Sequence, residues 1–170
     1  HRQIFEHRNH ADDDDDDGLG PLGTPARDLA AADAAGASWA YGRSASVGMP
    51  AVRRGGVVVQ EAPSGFAYPM GVTVLPLNAV GPLMGRSVAA PLAQGQIVMG
   101  ATTAGLRGAQ AGDVIDLVSA SGAIVSWPIG LVASDAVVGG TEILMSDAQA
   151  DALGITTVGR VVMWGFGSRD

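Results

Sequence analysis

From residue 56 onward the chain alternates short apolar, β-branched runs with glycine and proline breaks, a pattern that predicts strands joined by turns with a few short helices between them. Val57-Val58-Val59 and Val72-Thr73-Val74-Leu75 are predicted strands. Between them, 61–69 holds Pro63, Ser64-Gly65 and Pro69 and reads as a loop. Further on, a helical turn is predicted over 86–92, limited by Pro91, then a strand at 97–99 and a helix over 101–107 that Gly108 ends. Residues 111–113 turn into a strand at 114–118, 119–122 turn the chain again, and 123–133 run back as the second arm of a β-hairpin. Pro128 interrupts that return strand. It has no N–H to give to a ladder, so an edge position or a bulge is expected there.

The most complete local signals lie near the C-terminus. A strand over 141–145 leads to Ser146, which can cap a helix over 147–153. Gln149 stands three residues later and completes a capping box, Asp147 suits the positive helix start, and Gly154 supplies a left-handed stop. An apolar strand is expected over 158–166. Upstream, Thr24, Pro25 and Asp28 predict the start of an Ala-rich helix over 26–35 that ends at Gly36, and Trp39 and Tyr41 after it are expected to pack under the core. The fold class is therefore α+β: one small, mixed, strand-rich domain over 24–170 with a few short helices.

Composition adds to this picture at the N-terminus. Six consecutive aspartates, Asp12 to Asp17, repel one another, and Gly18, Gly20, Pro21 and Gly23 follow, so 1–23 is expected to be a flexible acidic tail. His1, His7 and His10 lie beside the aspartates, but side chains on a flexible segment offer a metal no preorganised geometry, and no metal site is expected. The chain opens at His1, and a leader or membrane anchor is expected ahead of it. Apolar residues make up 47% of the 170 residues and aromatic ones 5%, which predicts a core of small and short aliphatic side chains. The net charge of −7 argues against a nucleic-acid partner, which would need a basic patch. All ten basic residues are arginine, which is read as the codon bias of a GC-rich genome. Cysteine is absent, so disulfides, thiolate metal sites and cysteine nucleophiles are excluded.

The search for chemistry is mostly negative. With no lysine there is no phosphate-binding loop of the Gly-x-x-x-x-Gly-Lys type, and there is no Gly-x-Ser-x-Gly elbow. The three histidines all fall in the tail, so no Ser-His-Asp triad and no histidine zinc site is expected in the folded part. No catalytic residue and no cofactor is predicted. Among the carboxylates, Asp113, Asp116 and Glu142 are the set that would have to cluster for hydrolysis. The preferred reading makes them solvated surface groups or caps, with Asp113 and Asp116 on opposite faces of a strand. Phe66, Tyr68 and Met70 on or beside the 61–69 loop are the candidate binding residues. As an exposed apolar patch they would mark a contact surface, and folding back onto the core is the equal alternative.

Several segments in order carry a resemblance: RSVAAPLAQGQIV (86–98), AGDVIDL (111–117), GLVA (130–133), GTEILMS (140–146), ADALG (150–154) and VVMW (161–164). This succession is similar to the extracytoplasmic core domain of FtsX-like and MacB-like permeases. It also resembles the related domain that precedes zinc D-Ala-D-Ala carboxypeptidase domains in some actinobacterial wall proteins. The membrane helices of the first and the His/Asp zinc motif of the second have no counterpart here, so no catalytic residue is carried over. What the resemblance implies is a non-catalytic, extracytoplasmic binding or regulatory module of a membrane-anchored envelope protein, touching the membrane only through an anchor outside this chain. Its expected partner is an envelope protein or peptidoglycan. The competing expectation is part of a cell-wall hydrolase or carboxypeptidase.

Overall fold

The computed structural model describes residues 31–33 and 35–165. The acidic tail expected over 1–23, its three histidines and the start of the helix expected over 26–35 lie outside the described residues. Residues 31–33 are helical, and the turn behind them closes where the Ala37 N–H meets the Ala32 carbonyl at 2.9 Å.

The elements that follow are β1 (Ser38–Met49), β2 (Ala51–Arg54), β3 (Val57–Glu61), β4 (Tyr68–Val74), α1 (Leu77–Met84), α2 (Arg86–Ala93), β5 (Ile97–Gly100), α3 (Ala101–Arg107), β6 (Val114–Val118), β7 (Ile124–Ala133), β8 (Ile143–Met145), α4 (Asp147–Leu153) and β9 (Val158–Trp164). The strands form one mixed sheet in the order β3-β2-β6-β7-β5-β8-β4-β1-β9. β4–β8 and β5–β7 are parallel pairs and the remaining pairs are antiparallel. The architecture is α+β and strand-rich, as the pattern of short apolar runs predicts.

β1 is the element the pattern does not announce. Its sequence, SWAYGRSASVGM, is rich in Ser, Gly and Ala, which are weak strand formers. Pairing on both sides makes it a strand: residues 38–43 pair with β9 and residues 43–49 with β4. Only Pro50 separates β1 from β2, so a single run of chain lies near both ends of the strand order, and the sheet curls until β1 comes beside β6. The second strand to change neighbours is β7. Residues 124–128 pair with β6 and residues 129–133 with β5, so Pro128 stands at the handover in a central strand rather than at an edge. The expected bulge falls next to it: between Ile97 and Val98 the β5–β7 register jumps past Gly130. A Cβ on Gly130 would lie 2.5 Å from Pro91 Cβ and 2.3 Å from Gln96 Oε1, so α2 closes on the strand at the one position without a side chain.

The curled sheet encloses one apolar core and carries another on its outer face. Val47, Met49, Met70, Val72, Ile97, Met99, Ile115, Leu117, Ile143 and Met145 fill the inside. Val98 and Leu144 point the other way, into a layer made with Leu75, Val80, Leu83, Val88 and Leu92 around α1 and α2. β5 and β8 are therefore buried on both faces, which is why they read as unbroken apolar runs. Trp39 and Tyr41 do pack, but not under the main core as expected: with Ala32, Ala37, Val161 and Met163 they form a small separate cluster, their rings edge to face at 5.3 Å. Among the described residues no helix is long and apolar enough to cross a membrane.

Candidate functional site: a groove lined by acceptors

Alternation along β1 and β4 sorts their side chains. Val47, Met49, Met70, Val72 and Val74 turn into the core, so Ser44, Ser46 and Gly48 turn outward opposite Thr73, Gly71 and Pro69. The Gly139-Gly140 turn and residues Thr141 and Glu142 rise beside this outer face. Together they shape an open groove of about 670 Å3 lined by Ser44, Ser46, Pro69, Gly71, Thr73, Gly140, Thr141 and Glu142.

Glu142 is tied in place from across the groove, where its Oε2 accepts the Gly71 N–H at 2.7 Å. Gly71 leaves the floor open at that point: a Cβ there would stand 3.7 Å from the carboxylate oxygen and occupy groove space. The Thr141 hydroxyl donates to the Ile143 carbonyl at 3.0 Å, which leaves its oxygen lone pairs available. Around Glu142 the lining is hydroxyls, backbone and small apolar groups. No arginine among the described residues pairs with it.

Beyond Arg43, β1 has a strand neighbour on one side only, because its pairing with β9 ends at Arg43 opposite Val158. A second groove of about 400 Å3 runs along that open edge, between Ala45–Gly48 of β1 on one side and residues 118–120 and 153–157 on the other. Arg43 fixes the far wall. Its guanidinium donates to Asp151 at 2.7 Å, to Asp147 at 3.0 Å and to the Ile155 carbonyl at 2.8 Å, so α4 and the turn after it are fastened to β1. Asp147 and Asp151 lie one helical turn apart and meet the same cation.

The carboxylates singled out in the sequence do not converge. Asp113 is 1% exposed and Asp116 5%, so neither is the solvated surface group expected. Asp113 takes two hydrogen bonds from Arg54, at 2.8 and 2.9 Å, and the Gln110 N–H at 2.9 Å. Asp116 takes one from Arg53 at 3.1 Å and the Ser126 hydroxyl at 2.7 Å. Two adjacent arginines of β2 thus neutralise two buried aspartates at β6, where burial without a partner would cost several kcal/mol. Arg54 holds the Asp113 carboxyl below the ordinary carboxylate range, with burial opposing and the Gln110 N–H assisting. Asp135, likewise held low by the Thr102 hydroxyl and N–H, sits at the start of α3. Glu142 shares no hydrogen-bond partner with Asp113 or Asp116 and stands in the groove. No group of three or more His, Asp or Glu side chains suited to a metal ion occurs among the described residues.

Phe66, Tyr68 and Met70 are not one patch. Met70 is 1% exposed and belongs to the inner core, because β4 begins at Tyr68 and its alternation turns Met70 inward. Tyr68 is half-buried. The Arg107 guanidinium lies 4.0 Å from its ring centre, and its hydroxyl accepts from Gln60 and donates to the Glu61 carbonyl. Phe66 alone stands out into solvent, at 74% exposure. The groove residues Ser44, Ser46, Gly71, Thr73 and Thr141 escaped the sequence reading. For Ser44 and Ser46 the signal was the polar–apolar alternation of SASVGM at 44–49, which the weak strand composition concealed.

Compared with known proteins, the chain matches no family model and no curated sequence.

Proposed function

We propose that this domain is a non-catalytic binding module of a cell-envelope protein and that the groove over β1 and β4 holds part of its partner, for which the cell-wall polymer is the first choice. The observation that carries the reading is the groove itself: a wide, shallow surface of small residues, hydroxyl oxygens and one anchored carboxylate, set on a rigid pair of strands. Such a surface suits an extended polar ligand that lies along it, and backbone and hydroxyl groups would give orientation. The succession of motifs that resembles envelope domains supports the location. Asp113 and Asp116 are occupied in salt bridges, which weakens the competing hydrolase reading, since that reading needs them free beside Glu142.

The test is co-sedimentation of the chain with purified peptidoglycan. Ser46 is exposed on the groove face, so Ser46→Trp would fill the groove without entering the core. The expected result is retention of the parent chain on the wall, loss of retention in Ser46→Trp, an unchanged melting temperature and no soluble fragments released. Retention unaffected by Ser46→Trp would remove the groove from the reading. Fragment release that disappears in Glu142→Ala would replace it with the hydrolase.

A further inference from the structure

We infer that the groove recognises a primary ammonium group, with Glu142 as its counter-ion. The inference rests on the groove being the binding site and goes on to name the chemical class it selects.

Among the described residues, Asp113, Asp116, Asp147 and Asp151 each meet an arginine, and Asp33 and Asp135 accept hydrogen bonds from Trp39 and Thr102. Glu142, like Asp33, Asp135 and Glu61, meets no described arginine, and it is set apart from those three by its place in the groove. It lines a groove, and its one hydrogen bond, from Gly71, is to a neutral donor and leaves its negative charge uncompensated by any described cation. That hydrogen bond also fixes the carboxylate, so a ligand meeting it loses little further side-chain freedom. A fixed, uncompensated carboxylate amid acceptor oxygens attracts a cation and repels an anion.

The surroundings distinguish between cations. A guanidinium prefers the bidentate fork, which uses both oxygens of a carboxylate. Here Oε2 already accepts the Gly71 N–H, so a fork would have to share that oxygen, while Oε1 accepts no described hydrogen bond. An ammonium group is a compact charge with three donors and no acceptor, and its needs are met by one carboxylate oxygen together with hydroxyl oxygens. Ser44, Ser46, Thr73 and Thr141 supply those hydroxyls in the same groove. Phosphates and nucleic acids are disfavoured by the same charge, in keeping with the net charge of −7.

The experiment is an amide NMR titration of the full chain with Nα-acetyl-lysine amide, and in parallel with the same compound acetylated on its side-chain nitrogen. The Gly71 and Thr141 amides report on the groove. They are expected to shift with the first compound and to stay in place with the second. Glu142→Gln keeps an acceptor for the Gly71 N–H but removes the charge. It is expected to weaken binding about tenfold, a change of about 1.4 kcal/mol, with no change in melting temperature. Raising the salt is expected to weaken binding of the parent chain. Equal shifts with both compounds, no groove shifts with either, or undiminished binding by Glu142→Gln would overturn the inference. Co-sedimentation with peptidoglycan before and after chemical acetylation of its amines separates this outcome from failure of the broader reading. Groove-dependent retention that survives acetylation removes the ammonium specificity alone, whereas retention that never depends on the groove removes both.

Discussion

Asp113 shows how a single side chain ties distant parts of the chain together. It is buried, yet it is charged because Arg54, 59 positions earlier, reaches it with two nitrogens. Arg54 is 42% exposed, so after Asp113→Asn it can turn to water, and the cost is expected at about 1.5–3 kcal/mol, the range for hydrogen bonds to charged groups. The folded-state pKa of Asp113 is lowered, so its contribution is fully present above the unfolded value of about 3.9 and is lost as pH falls through the lower folded value. Chemical denaturation between pH 7 and pH 2 should therefore show the parent chain losing stability below about pH 4, and Asp113→Asn showing a shallower acid slope. Gly130 makes the opposite point, that an absent side chain can be required. Gly130→Ala would push a methyl against the rigid ring of Pro91, at 2.5 Å, and is expected to cost about 1–3 kcal/mol in a denaturant midpoint measurement, as overpacking does.

At the scale of elements, α4 combines local and long-range support. Ser146 gives its backbone N–H to Gln149 Oε1 at 3.0 Å in a capping box, and the other end of Gln149 donates to the Gln96 carbonyl at 3.1 Å. Ser146→Ala is expected to cost about 1 kcal/mol. Gln149→Ala is expected to cost more, because it breaks the cap and also leaves the Gln96 carbonyl without its partner across 53 positions. Urea midpoints of the two variants check the order. If Ser146→Ala proved the costlier, the bridge to Gln96 would be adding nothing. The capping signals of α4 were legible because a capping box is written within four consecutive residues. β1 was not, because its strand character comes from β4 and β9, and its Ser, Ala and Gly residues carry little preference of their own.

For the whole molecule, the decisive feature is that β5 and β8 separate two apolar layers. Met99 faces the inner core and Val98 the layer under α1 and α2, one residue apart on the same strand. Damage to either layer should therefore destabilise the other. Unfolding is expected to be one cooperative step, with far-UV circular dichroism and tryptophan fluorescence giving the same midpoint. Trp127 packs against the inner core, Trp164 against the outer layer and Trp39 in the small cluster, so the fluorescence samples all three. Met99→Ala is expected to lower stability by about 2–5 kcal/mol, and Val98→Ala by less, without separating the two probes. Two resolved transitions would show that the layers fold independently.

The amino-acid sequence by itself determined the elements whose causes are local. The β6–β7 hairpin, α3 ended by Gly108 and α4 between Ser146 and Gly154 were all readable, because turn and cap residues act on backbone groups a few positions away. It also determined the strand-rich α+β class and the aliphatic core, since both follow from composition and period. The tertiary structure alone decided that Met70 is core, that Asp113 and Asp116 are buried against β2, and that Glu142 stands in a groove with Ser44 and Ser46 about a hundred positions away. Each of these depends on which strand lies beside which. That is settled by the curling of the whole sheet, in which β1 passes from β9 to β4 at Arg43 and β7 from β6 to β5 at Pro128, and no window of neighbouring residues encodes it.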